Sequence, residues 1–338
     1  MRDILETVQR WIAEDRRIAL ATVTETWGSA PRGVGSRMAV TDDMAMIGSV
    51  SGGCVETAVI REAMEARADG RPRLLQFGVS DDDAWEVGLT CGGRIGVLVE
   101  PLDRAWWAVA AARVMADQPV ITLTILNGDH VGAKAASDGV TLIYTAALPD
   151  SAGVAFAAAA AAAAKPGRAE VAGYEVMIDV QRPRPHLILI GGVHIAMPLT
   201  AFAKQVGFRV SLIDPRRVFA TPERFPDAAA ISHRYPDRAL PELGLDADTY
   251  VAVLTHDPKI DDKALITALP SPARYIGVLS SRKTHEARLE RLRKAGLSEE
   301  LLARIHTPIG LDIGANTPEE IAVGVMAEIL AVRSGKIR

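Results

Sequence analysis

The chain has 338 residues, 49% hydrophobic and 24% charged, with a formal net charge of −4. That length allows two domains with their own cores, and the slightly acidic balance gives no electrostatic footprint for nucleic acid. No apolar run is long enough to span a bilayer, and the amphipathic opening from Met1 to Arg17 carries charges throughout instead of an export signal, so the expectation is a soluble cytoplasmic protein with no membrane insertion.

A helix opens the chain, and a strand follows from Arg17 to Thr26. The next loop, T-W-G-S-A-P-R-G-V-G-S-R-M, turns on Gly28, Gly33, Gly35 and Pro31 and carries Arg32 and Arg37. Those arginines could grip an anion, or be solvated on a hairpin connection. Strands at Met38–Val40 and Met44–Val50, joined by an Asp42-Asp43 turn, lead to G-S-V-S-G-G-C-V-E at Gly48–Glu56. The helical spacing of Val55, Val59, Ala63 and Met64 predicts a helix to Ala68, which puts Cys54 at a helix start, where dipole and N–H groups favour thiolate. A strand at Arg73–Val79 and an acidic run at Asp81–Asp83, read as a solvated cap, precede L-T-C-G-G. Cys91 then sits on a turn before the strand R-I-G-V-L-V-E-P. Gly52, Gly53, Gly92 and Gly93 flank the only two cysteines, so the thiols read as displayed groups. The plainer alternative is two small buried hydrophobes. A chain with two cysteines and no C-x-x-C or His pair beside them suggests neither a structural disulfide nor a zinc site.

A helix at Trp106–Met115 and strands at Pro119–Leu126 and Val140–Tyr144 come next. Alanines from Ala157 to Ala164 predict a helix, because Ala is the best helix former. A strand at Ala172–Val180 ends at Q-R-P-R-P, whose prolines place a boundary between a cysteine-bearing domain, 1–182, with a distinct sub-region 104–182, and a second domain, 183–338. The second half reads strand (His186–Ile190), glycine turn, helix to Val206, and strand (Phe208–Ile213) ending at Asp214. This is the layout of a dinucleotide-binding βαβ unit. Strands at Tyr250–Leu254 and Tyr275–Leu279 extend it. The fold class is α/β: an N-terminal mixed α+β domain followed by a C-terminal Rossmann-like, doubly wound parallel sheet.

The glycine fingerprint is incomplete. Gly191 fills its first position, but Val193 and Ala196 fill the second and third, and a Cβ at the second obstructs pyrophosphate, so NAD(P) is not expected to bind. Thr255, His256 and Asp257 follow a strand end, where ligands bind in open α/β sheets, although a hydrogen-bonded turn explains them equally well. Ser280, Ser281 and Arg282 lead into a helix, a setting that suits phosphate.

The motifs T-W-G-S-A-P-R-G-V-G-S-R-M, G-S-V-S-G-G-C-V-E and G-L-T-C-G-G resemble the N-terminal domain of the XdhC/CoxI family, accessory proteins of xanthine dehydrogenase and carbon monoxide dehydrogenase type molybdenum hydroxylases. T-H-D-P-K-I-D-D, Y-I-G-V-L-S-S-R and P-I-G-L-D-I-G-A-N-T-P-E-E-I-A resemble its Rossmann domain. The resemblance implies a protein that binds molybdenum cofactor (molybdopterin, or its cytosine dinucleotide form), protects it during sulfuration and inserts it into an apo molybdenum hydroxylase. Implied partners are that hydroxylase, a cysteine desulfurase type sulfur donor and a second copy in a homodimer. By motif, Cys54 and Cys91 become candidate molybdenum ligands. Thiophilic metal and displayed thiol agree chemically. Arg32, Arg37, Gly191, His194, Asp214, His256, Asp257, Ser281 and Arg282 become candidate contacts for the rest of the cofactor. The departure from the family is at Val193 and Ala196, beside His194, where glycines are common. The competing function is an NAD(P)-dependent oxidoreductase that pairs the Rossmann half with the cysteines.

Overall fold

The computed structural model describes residues 1–28, 32–78, 93–280 and 282–337, without the side chains of Arg282 and Lys283. The chain divides into two units, Met1–Pro183 and Arg184–Arg338. The first unit opens with α1 (Leu5–Ala13), β1 (Ile18–Trp27), β2 (Arg37–Thr41), β3 (Met46–Gly48), α2 (Glu56–Asp69), β4 (Arg73–Phe77) and β5 (Arg94–Pro101). These strands form an antiparallel sheet in the order β3-β2-β1-β5-β4. Val55, Val59, Ala63 and Ala66 pack α2 onto one face, against Ala21, Val23, Met38 and Val97. α2 stops at Gly70, whose φ of 75° takes the left-handed conformation that glycine adopts without a Cβ penalty.

The unit continues with α3 (Arg104–Met115), β6 (Val120–Ile125), β7 (Lys134–Ser137), β8 (Leu142–Ala146), α4 (Gly153–Ala162), β9 (Gly167–Val171) and β10 (Tyr174–Gln181). A second antiparallel sheet results, β8-β7-β6-β10-β9. The alanine helix α4 covers it through Ala152, Phe156 and Ala160. Asp103 caps α3 by accepting from Trp106 N at 3.0 Å. Sequence periodicity does not predict β7 and β9. Lys-Ala-Ala-Ser and Gly-Arg-Ala-Glu-Val have weak strand preference alone and are strands because β6 and β10 pair with them.

Buried charge links the two sheets. Arg37 on β2 meets Asp179 on β10 at 2.7 Å, each side chain only 2% exposed, and Lys134 on β7 meets Glu100 on β5 at 2.6 Å. Both cations lie over the Trp106 ring, 5.7 and 5.0 Å from its centroid. Gly35, at φ 88°, closes against this pair. A Cβ there would fall 2.7 Å from Asp179 Oδ1. The expectation that Arg37 grips a ligand anion is therefore corrected, because its charge is engaged inside the protein by an acid far along the chain.

The second unit contains β11 (His186–Ile190), α5 (Ala196–Gln205), β12 (Arg209–Ile213), β13 (Ala230–Ser232), α6 (Pro236–Leu243), β14 (Thr249–Val253), α7 (Pro258–Ala268), β15 (Tyr275–Val278), α8 (Arg282–Lys294), α9 (Glu299–Leu302), β16 (Ile305–His306) and α10 (Pro318–Arg333). All six strands are parallel, in the order β13-β12-β11-β14-β15-β16, which is the doubly wound order 3-2-1-4-5-6. Alternation along β11 builds two cores. Leu187 and Leu189 face the layer containing α5 and α10, while Ile188 and Ile190 face the layer containing α6 and α7. The edge strands β13 and β16 are three and two residues long, too short for periodicity to reveal.

Replacing Asp179 with Ala would leave Arg37 buried without its counter-charge. The expected loss is about 3–5 kcal/mol, read as a fall in the denaturant midpoint. A loss under about 1 kcal/mol, as for an exposed pair, would contradict the linking role of this bridge.

Candidate functional site

Sheet topology brings three segments to one edge of the first sheet. Because its strands alternate in direction, the chain after Trp27, the chain after Gly48 and the chain between Phe77 and Arg94 all leave or enter there. β2 pairs with β1 only to Thr22, whereas β5 follows β1 to Trp27, so the central strands project five residues farther, about 17 Å at ~3.4 Å per residue. Cys54 is half-buried beside this projection, against the cluster that includes Val55, Val59 and Ile95. Cys91 and Gly92 lie outside the described residues, as do Asp81–Asp83. Gly93 is buried directly before β5.

The Cys54 loop is built around Glu56, the first residue of α2. Its Oε1 accepts from Ser49 Oγ at 2.6 Å, Val50 N at 3.2 Å, Ser51 N at 2.9 Å and Gly52 N at 3.1 Å. Its Oε2 accepts from Gly53 N at 2.9 Å and from the Ser51 hydroxyl. Ser51 Oγ in turn accepts from Cys54 N at 2.9 Å and Val55 N at 3.0 Å. Burial pushes the Glu56 carboxyl up, but hydrogen bonds from Ser49 and Ser51 outweigh it and hold the group at about 2. The expected helix-start activation of Cys54 is revised accordingly. α2 begins at Glu56, after Cys54, and the N–H groups before it are engaged by Glu56 and Ser51, so they are not directed at the sulfur.

Gly52 and Gly53, at φ 82° and 121°, permit the sharp path. A Cβ on Gly53 would meet nothing within 4 Å, so the backbone there is open to approach. Arg32 braces the loop, donating from Nε to Ser49 O at 3.2 Å and from Nη2 to Asp3 at 2.9 Å. Trp27 ends β1 with 69% of its surface exposed, and the Arg94 guanidinium lies 5.9 Å from its ring centroid.

In the second unit, Gly191, Asp214, Thr255 and Ser280 follow the carboxyl ends of β11, β12, β14 and β15, and are therefore on one edge of the parallel sheet. Gly191 has φ 107°, and a Cβ there would come within 2.2 Å of Thr255 Cγ2. Asp214 is buried and fully engaged. Gly192 N donates to its Oδ2 at 2.8 Å, and Arg216 donates to both oxygens through N, Nε and Nη2. Burial raises the Asp214 carboxyl, and the Arg216 and Gly192 bonds bring it below its ordinary value. This acid is thus already satisfied within the protein, which corrects its expected role as a cofactor contact. Val193 packs against the core under α5, and Ala196 allows the close helix approach.

His194 and His256 are exposed, and Asp257 caps α7 by accepting from Lys259 N at 2.9 Å. Thr255 donates to buried Asp261, which pairs with buried Arg288 at 3.1 Å. Burial raises the Asp261 carboxyl to about 6 against both of those contacts. Ser281 and the Arg282 side chain lie outside the described residues. Among the described residues, no group of three or more His, Cys, Asp or Glu side chains is placed to hold a metal ion, and no helix is long and apolar enough to cross a membrane.

The model of the XdhC and CoxI family matches residues 11–78, and that of the XdhC Rossmann domain matches residues 187–329. The chain belongs to the XdhC/CoxI family. It is 27% identical over 317 residues to Escherichia coli YqeB, covering 94% of this chain but only 43% of that protein. It is 27% identical over 337 residues to PaoD of Escherichia coli, a molybdenum cofactor insertion chaperone, covering 98% of this chain and 88% of PaoD. A Bacillus subtilis protein named as a probable xanthine dehydrogenase subunit is also 27% identical, with 95% of each chain covered. A crystal structure of a xanthine dehydrogenase from Bacillus halodurans shares the fold, with a TM-score of 0.80 over 99% of this chain and 96% of that one, at 24% identity.

In this XdhC/CoxI chain, the motifs point to the cysteine and its glycines but not to the parts played by Glu56, Ser49, Ser51 and Trp27. A signal was present. A Glu at the first turn of a helix, behind Ser and Gly, has the composition of a cap that reaches back to upstream amides. Because the Glu56 carboxyl lies below its ordinary value of 4.5, the stability it adds is complete above pH 4.5 and is lost as pH falls to about 2. At ~1.4 kcal/mol per pKa unit the effect is about 3 kcal/mol. Thermal melts of wild type and Glu56→Gln across that window should converge toward acid. A constant gap would contradict the assignment.

Proposed function

We propose that this chain is a cytoplasmic accessory protein, acting as a homodimer, that binds molybdenum cofactor, in the molybdopterin or cytosine dinucleotide form. It holds the cofactor while a cysteine desulfurase type donor supplies sulfur, and delivers it to an apo xanthine dehydrogenase type hydroxylase. The observation that carries this reading is the Glu56-braced loop, which holds Cys54 half-exposed at the sheet edge where β4 ends at Phe77 and β5 begins at Arg94. The role named for PaoD agrees with it.

The residues fit the metal end of such a cofactor. Thiolates suit a soft, thiophilic centre, and the open space over Gly53 gives it backbone to approach. When bound, the molybdenum centre supplies the oxo and sulfido chemistry that the client hydroxylase uses. Cys54, with Cys91 as its proposed second ligand, binds. Glu56, Ser49 and Ser51 orient the loop, and Gly52 and Gly53 leave room, with Gly92 and Gly93 assigned the same part beside Cys91. Arg32 supports the loop. The second unit keeps His194, His256, Asp257 and the start of α8, with Ser281 and Arg282, as its own proposed anion contacts beside the Gly191 turn.

The oxidoreductase reading is disfavoured by the second unit's own contacts, since Gly192 N and Asp214 satisfy one another and Arg216 closes the acid. NADH and NADPH should show no micromolar binding by calorimetry. A micromolar affinity would revive that reading.

The functional test compares wild type, Cys54→Ser and Cys91→Ser purified from a cofactor-producing host. Each substitution should lower bound molybdenum and pterin by about tenfold or more and leave a co-expressed client hydroxylase present but poorly active. Melting temperatures should hardly change, since Ser is close to Cys in size. Unchanged metal and client activity in both variants would refute the proposal.

A further inference from the structure

Six donors converge on the Glu56 carboxylate: the Ser49 and Ser51 hydroxyls and the N–H groups of Val50, Ser51, Gly52 and Gly53. Successive backbone N–H groups on a path with positive φ at two glycines form a concave nest, an arrangement that elsewhere binds phosphate or sulfate. Here the nest is filled by the chain's own acid. We infer that Glu56 is the positioning residue of Cys54, which sets the sulfur's place through Ser51, and that by filling the nest it reserves the loop for the soft metal end of a ligand and closes it to oxyanions.

The positioning path is short. Glu56 accepts the Ser51 hydroxyl proton in a hydrogen bond, which turns the lone pairs of Ser51 Oγ toward Cys54 N and Val55 N. The backbone on both sides of the sulfur is thereby fixed without any contact between Glu56 and the sulfur. Charge closes the nest to competitors. An incoming phosphate would have to displace a buried carboxylate that already satisfies every donor, or sit beside its charge. Either is unfavourable in a site of low local dielectric. A soft metal centre needs neither the N–H groups nor an empty nest. The ligand part of this inference rests on the proposed cofactor-binding function, whereas the positioning part does not.

The experiment uses the full chain without cofactor. Cys54 alkylation is followed by peptide-resolved mass spectrometry, which separates it from Cys91, together with hydrogen exchange over residues 50–55 and the melting temperature. In Glu56→Gln, the amide NH2 replaces one acceptor and faces the Ser51 hydroxyl and Gly53 N–H as donor against donor. Cys54 alkylation should rise by about tenfold, the factor set by a lost buried hydrogen bond, at a temperature where the variant is still folded. Residues 52–55 should lose exchange protection. Inorganic phosphate should slow alkylation in Glu56→Gln and leave wild type unaffected, and Glu56→Asp, which keeps the charge, should restore insensitivity to phosphate. Ser51→Ala, which cuts the path but retains the acid, should speed alkylation without phosphate sensitivity, and it carries the test if Glu56→Gln does not fold. Wild-type alkylation rates in these variants, or equal phosphate sensitivity in wild type, would overturn the inference. Molybdenum retention, measured separately, bears on the function and not on this positioning role.

Discussion

A single buried carboxylate organises the loop that presents Cys54. Glu56 is removed from water at the start of α2, which by itself would favour the neutral acid. The charge-assisted bonds it accepts reverse that preference and hold it ionised. The geometry of residues 49–55 follows from this. Two hydroxyls and four N–H groups cannot reach one carboxylate unless the chain turns sharply, and Gly52 and Gly53 supply the turn. Cys54 is then presented at the edge by a loop whose N–H groups from Val50 to Val55 are bonded to Glu56 and Ser51.

A second constraint lies in the charges sealed between the two sheets of the first unit. Arg37 with Asp179 and Lys134 with Glu100 surround Trp106, so cation and acid satisfy one another across elements distant in sequence. Such pairs add little net stability over an apolar core, but losing one member leaves an uncompensated charge. They also define the loop of residues 32–37. Its two arginines point to different tasks, Arg37 inward to Asp179 and Arg32 across to Ser49 and Asp3, and that loop becomes a support for the Cys54 segment.

The parallel sheet was legible because its strands are nearly continuous apolar runs between glycine turns and helices. His-Leu-Ile-Leu-Ile, buried on both faces, leaves few other readings. Edge strands β13 and β16 were not legible, since two or three residues carry no period. The position of Asp214 at the end of β12 could be read from spacing, but its engagement by Arg216 and Gly192 could not, because a turn that folds back two residues leaves no pattern. Arg37 misled for the opposite reason. Its neighbours spelled a flexible glycine loop, and the acid that captures it stands on β10. Glu56 stood inside the motif and was still missed, since a Glu at a helix start reads as ordinary capping until its oxygens are matched with the upstream amides.

The proposed function places the molybdenum end of the cofactor on the Cys54 sulfur, in a loop fixed by Glu56. X-ray absorption at the molybdenum edge tests this most directly, on protein loaded in a cofactor-producing host and on Cys54→Ser loaded in the same way. Wild type should show molybdenum–sulfur scattering beyond that of the pterin dithiolene, and Cys54→Ser should show one sulfur fewer in whatever molybdenum it retains. Identical sulfur coordination in the two proteins, at equal metal content, would contradict the assignment.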